Sequence, residues 1–163
     1  MSIAALPDLA RFAHHEDIAV GDVLPELRLV PTLIDAVMYA AAMWEFQKLH
    51  FDDAWARSEG LEGAILQGPA LGNILTRMLG QWAGPRGRIL RLSWRNRGVA
   101  VLGKPLVCRG RVSAHAASAE ACTDGSAAGR VECELDIVAA DGDGDGGAIL
   151  AANAAILLPR RST

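Results

Sequence analysis

A chain of 163 residues, 51% of them hydrophobic, is long enough to bury one substantial core, and its length favours one domain over two. The formal net charge of −3 lacks the broad basic surface of a nucleic-acid binder, so no nucleic-acid partner is expected and any phosphate must be met by a local group of arginines. The three cysteines, Cys108, Cys122 and Cys133, are odd in number and contain no C-x-x-C pair, which argues against a disulfide framework and a structural zinc site and for a reducing, cytoplasmic setting.

Residues 1–20 show little periodicity and read as a loosely packed arm that includes His14 and His15; the domain proper is expected over 21–163. The opening MSIAALPDLARFAHHED has no basic head followed by a long apolar run and does not read as a secretory signal. Val23 to Val30 alternates as a half-buried strand, Pro31 breaks it, and Thr32 is placed to cap a helix over Leu33 to Met43. That apolar stretch, extended to Trp44, is interrupted by Asp35 and too short to cross a bilayer, so no membrane span is expected.

A loop follows with Glu45 and His50, and Asp52 or Asp53 caps a short helix, AWARSE, that Gly60 ends. On its own, a histidine beside two aspartates in a loop reads as a solvated side chain, so its chemistry depends on what surrounds it. Next, Leu71, Ile74, Leu75, Met78, Leu79 and Trp82 recur at three- and four-residue steps. They predict a central helix, entered at Gly68-Pro69, ended at Gly84-Pro85 and buried against a sheet.

Beyond Pro85 the chain reads as strands: RILRLSWRN, KPLVCRGRVSAH, GRVECELDIVA and GAILAANAAILL. Glycine-rich turns at 124–129 and 141–147 make the last three an antiparallel meander. The second turn, DGDGDGG, imitates the start of a calcium loop, but its twelfth position is Ala152 where a bidentate glutamate is needed; a solvated turn and no metal site are expected. These elements predict an α+β domain in which an antiparallel sheet wraps around one long helix.

The segments HFDDAWARSEGLEG, AILQGPALGNILTRMLGQWAGP and GKPLVCRGRV resemble the MaoC-like (R)-specific enoyl-CoA hydratases, over roughly residues 20–158. The closing NILTRMLGQWAGP is similar to the small MaoC-like subunits of bacterial steroid side-chain degradation. The resemblance implies a single hotdog domain, a homodimer or a heteromer with a second MaoC-like chain, and an acyl-CoA substrate with no cofactor beyond its CoA. It puts Glu45 on the family's acidic position and His50 on its histidine. Gly68 falls on the glycine that opens the central helix, and Thr76 on a position that can present a hydroxyl to substrate. Glutamate stands in place of the family's aspartate, and Gln67 in place of the histidine before the glycine.

The implied reaction adds water to a trans-2-enoyl thioester to give a (3R)-3-hydroxyacyl-CoA. It needs a base for the water, an acid for the α-carbon and donors for the thioester oxygen. Glu45 and His50 are the expected acid–base pair. The Gly68 N–H, unpaired at a helix N-terminus, is the expected oxygen donor, with Gln67 either adding a donor or filling the family's histidine space. Thr76 could face substrate or bond its own turn. Arg91, Arg95 and Arg97 share a strand face, either solvated or meeting CoA phosphates. The four tryptophans read chiefly as packing, with Trp44 placed to desolvate Glu45. The alternative to a hydratase is a non-catalytic hotdog subunit that completes a partner's acyl-CoA tunnel; a hotdog thioesterase is a third reading.

Overall fold

The computed structural model describes residues 12–140 and 147–161. Capping chemistry sets the first helix. The Thr32 hydroxyl accepts from Asp35 N–H while the Asp35 carboxylate accepts from Thr32 N–H, a reciprocal capping box that opens α1 (Leu33–Met43). The Thr32 hydroxyl also donates to the Asp35 carboxylate, and that bond first, then the one from Thr32 N–H, holds the Asp35 carboxyl below its ordinary value. Asp52 caps α2 (Asp53–Ser58) by accepting from Trp55 N–H. Pro69 in the first turn and Gly84 after the last bound α3 (Gly68–Ala83), as its spacing predicts.

The strands are β1 (Leu27–Leu29), β2 (Ile65–Leu66), β3 (Arg88–Asn96), β4 (Ala100–Val101), β5 (Leu106–Ala121), β6 (Ala127–Ala139) and β7 (Leu150–Pro159). Five of them form one antiparallel sheet in the order β1-β5-β6-β7-β3, while β2 and β4 make a separate two-stranded ribbon. The expected meander is β5-β6-β7. The strand expected over Val23 to Val30 is shorter than its alternation suggests, because before Leu27 the chain meets β5 through an isolated bridge from Val23 to Arg111 and a bond from Gly21 N–H to the Val112 carbonyl rather than a continuous ladder. Pro25 has no N–H to give a ladder there. The expected hairpin turn at 141–147 falls, apart from Gly147, outside the described residues.

Alternation decides which face is core. Val131, Cys133, Leu135 and Ile137 of β6 are buried with Leu71, Leu75, Met78 and Leu79 of α3, so the sheet wraps the helix as expected. Burial pushes the Cys108 and Cys133 thiols up to about 12, so both behave as small apolar groups. The intervening β6 residues meet cations on the outer face: Asp136 takes a two-pronged contact from Arg109, Glu134 meets Arg111, and Glu132 meets Arg91 and Arg130.

The segment before the first strand is pinned to the domain. The Phe12 ring lies directly on Gly84, and the His15 ring lies on Gly129, against His115, with Nε2 of His15 3.4 Å from Nδ1 of His115. Glu16 and Asp17 pair with Arg160 and Arg161 beyond β7, and Arg160 with the Arg161 N–H holds the Glu16 carboxyl down at about 2.

Candidate active site

The residues that carry the expected chemistry lie between α1 and α3. At the end of α1 the chain turns left-handed at Trp44, φ 55°, and Glu45 N–H donates to Ala40 carbonyl at 2.9 Å, closing the helix. Glu45 is therefore fixed to a helix terminus at its backbone while its side chain stays about one-third exposed. Trp44 itself is 83% exposed and stacks edge-on with Phe46, so it stands away from the protein rather than packing over its neighbour.

His50 closes a single 3-10 turn, Lys48–His50, and is only 6% exposed. Its Nδ1 lies 2.8 Å from the Ile65 carbonyl. A carbonyl only accepts, so Nδ1 donates, and in the neutral ring Nε2 keeps its lone pair. That Nε2 stands 3.9 Å from Oε1 of Glu45. The neighbouring aspartates have structural partners: Asp52 caps α2, and Asp53 accepts from Ala64 N–H at 2.8 Å while holding Arg57. His50 is thus a buried, oriented imidazole on a loop that Asp53 ties to β2.

Gln67 and Gly68 follow β2 directly. Gly68 N–H finds no backbone acceptor among the described residues, as expected of a first helical residue. A Cβ at Gly68 would collide with the side-chain amide of Asn96, so the last residue of β3 lies against the start of α3. Sequence reasoning passed over Asn96, since the contact spans 28 residues and leaves no local pattern. Gln67 is 1% exposed; its Nε2 donates to the Ala36 carbonyl at 3.0 Å, and its Oε1 has no partner among the described residues. The Thr76 hydroxyl donates back to Gly72 carbonyl at 3.0 Å, on the side of α3 away from the core.

Arg91 and Arg95 share a face as expected, and it is the outer one, because Trp94, between them, and Asn96, just beyond, point to α3; Arg97, expected on the same strand face, lies past the end of β3. Arg91 reaches Glu132, whereas Arg95 and Arg97 have no carboxylate partner among the described residues and line an open groove of about 490 Å³ with Ser93, Glu134 and Asn153. A second cleft, of about 500 Å³, runs between α1, β1 and α3; Leu29, Pro31, Met38, Tyr39, Leu66 and Ile74 make it largely apolar, and Arg77 lies along it. Among the described residues no three His, Cys, Asp or Glu side chains cluster as metal ligands, and no helix is long and apolar enough to cross a membrane.

No family model and no curated protein matches the chain. Solved structures do. The ChsH1-ChsH2 complex from Mycobacterium tuberculosis aligns at TM-score 0.69 and 21% identity, over 86% of this chain and 98% of that one. An (R)-hydratase from A. caviae involved in PHA biosynthesis aligns at TM-score 0.73 and 21% identity, covering 88% and 99%. A MaoC-like dehydratase from Rhodospirillum rubrum aligns at TM-score 0.71 and 21% identity, covering 93% and 99%. What the chain has in common with them at these identities is the fold, a single hotdog domain of antiparallel sheet around one long helix, as expected.

Proposed function

We propose that the protein is a MaoC-like hydratase that adds water to a trans-2-enoyl-CoA to give a (3R)-3-hydroxyacyl-CoA, with Glu45 and His50 as its acid–base pair. The observation that carries this reading is the 3.9 Å gap between Glu45 Oε1 and His50 Nε2, with His50 oriented by Ile65, three residues before Gly68. The gap is too long for a direct hydrogen bond, yet one water about 2.8 Å from each atom spans it at an angle of roughly 90°.

Ile65 leaves Nε2 free to take a proton from that water as its oxygen bonds to the β-carbon. The proton passed through the pair then goes to the α-carbon, so one water adds across the double bond and both groups regain their starting states. The thioester oxygen, which gains enolate charge in between, meets the Gly68 N–H at the positive end of α3. The acyl chain occupies the apolar cleft that Leu66 lines one residue before Gln67.

Arg95 and Arg97 line the open groove on the outer face of the sheet and have no carboxylate partner among the described residues, so they are cations left free to meet the CoA phosphates. Arg91, engaged by Glu132, contributes less. The exposed edge of β3 is where a second MaoC-like chain, identical or related, adds its own strand.

Incubation of the purified protein with crotonyl-CoA and with a bulky steroid enoyl-CoA, followed by chiral analysis of the product, tests the reading. Formation of the (3R)-hydroxyacyl-CoA supports it. Absence of turnover with both, alone and with the protein's co-purifying partner, sinks it in favour of the non-catalytic subunit.

A further inference from the structure

We propose that Gln67 is a positioning residue that sets the Glu45–His50 separation, an inference that rests on the hydratase reading above. Both members of the pair trace back to the three residues Ile65 to Gln67. The Ile65 carbonyl orients the His50 ring. Two residues later the Gln67 side chain holds Ala36, in the first turn of α1, and the last turn of α1 fixes Glu45 through its N–H to Ala40. The helix between those two anchor points transmits the placement, because Ala36 and Ala40 are its two fully buried residues and pack too closely to let it slide.

Burial makes the bond consequential. Gln67 is nine-tenths and more enclosed, so its Nε2 bond to Ala36 meets little competition from solvent. The direction of the amide follows from its partner: a carbonyl takes a donor, which leaves Oε1 as the atom without a partner among the described residues. A buried acceptor in that condition is retained at a cost in stability that packing alone does not recommend. Placement of α1, and through it of Glu45, supplies the reason for keeping an amide here.

The test uses the full chain in its purified assembly, with Gln67→Met to remove the donor at similar volume and Gln67→His to keep a ring N–H in reach of Ala36. Gln67→Met is expected to lower kcat about tenfold or more with KM for the enoyl-CoA nearly unchanged, since sub-ångström displacement of an acid–base pair acts on the chemical step. In a His50→Ala background the same substitution should produce no further loss, because there is no pair left to misplace. Gln67→His is expected to recover most of kcat.

A Gln67→Met protein with wild-type kcat overturns the proposal, as does an equal loss in the wild-type and His50→Ala backgrounds, which marks a general structural role. Should Gln67→Met fail to fold, Gln67→His carries the test: a folded Gln67→His protein that loses kcat equally in both backgrounds overturns the proposal. An inactive wild-type assembly removes the hydratase reading and this inference together, whereas an active wild type indifferent to Gln67→Met removes this inference alone.

Discussion

Nε2 of His50 and Oε1 of Glu45 face each other across 3.9 Å, and each is held from a different direction: His50 through its other ring nitrogen to β2, Glu45 through its backbone to the end of α1. Neither side chain belongs to the apolar core. Substituting them should therefore separate chemistry from folding.

His50→Ala and Glu45→Gln are each expected to lower kcat for an enoyl-CoA by about a hundredfold, the scale of a positioned acid or base. The double variant should be no worse than the poorer single one, because the two act as a unit. Steady-state kinetics, with circular dichroism to verify folding, checks both statements. Retention of wild-type rates by both single variants would assign the chemistry to a partner chain.

Glu45→Asp asks a sharper question. The shorter side chain is the one found in the MaoC-like hydratases that the sequence resembles, but it draws the carboxylate back by one methylene from an imidazole already 3.9 Å away. With the backbone of residue 45 tied to Ala40, the loop has little freedom to follow. A loss of about tenfold in kcat is expected, on the geometric sensitivity of positioned groups. A rate equal to or above wild type would mean that the loop moves to meet the shorter side chain.

Trp44→Gly should stabilise the fold. A tryptophan at φ 55° carries the steric cost of the left-handed region, which glycine does not, and its ring is 83% exposed. The gain is expected to be about 1 kcal/mol, or a rise of about 2–4 °C in Tm, less the small contact with Phe46. A thermal melt that shows no gain would place the contact with Phe46 on a par with the backbone cost.

Besides Asp35, two carboxyls contribute to the acid limb of stability. The Glu16 carboxyl is lowered to about 2, first by Arg160 and then by Arg161 N–H, and that of Asp124 to about 2 by Ser126 and then Arg86. A folded-state value below the unfolded one stabilises in full above the ordinary carboxylate range, and that contribution is lost as pH falls from there through about 2. Glu16→Gln and Asp124→Asn should each flatten the fall in urea midpoint across that window while leaving the slope near neutral pH unchanged. A wild-type slope retained in both variants counts against the assignment.

The assembly prediction follows from β3, a nine-residue strand at one edge of the sheet with Trp94 41% exposed. Light scattering at micromolar concentration is expected to give the mass of at least two hotdog chains. A monodisperse monomer from which no partner can be recovered would argue that β3 stays unpaired.

Helix placement was readable before the structure because its determinants are local. Thr32 and Asp35 sit three residues apart, Pro69 and Gly84 bracket α3, and the apolar residues between them recur at three- and four-residue steps around more than one face, as a buried central helix requires. The five-residue interval from Glu45 to His50 was readable too, through the family resemblance. Less visible were contacts between segments far apart in the chain. β3 returns beside β7, β2 pairs β4, Gln67 bonds Ala36, and Asn96 meets Gly68. Periodicity placed Arg91 and Arg95 on one face but carries no information on whether that face is inner or outer, and only the packing of Trp94 against Gly72 decides it.

Phe12 on Gly84 and His15 on Gly129 fit like pegs in sockets, since no side chain could occupy either glycine with the ring in place. A shortened version of the protein begun after Asp17 would therefore leave two holes, one over the end of α3 and one over the middle of the sheet, and would strand Arg160 and Arg161 without their carboxylates. For anyone trimming the chain for crystallisation or fusion, the usable boundary lies ahead of Phe12, even though the sequence there reads as a loosely packed arm.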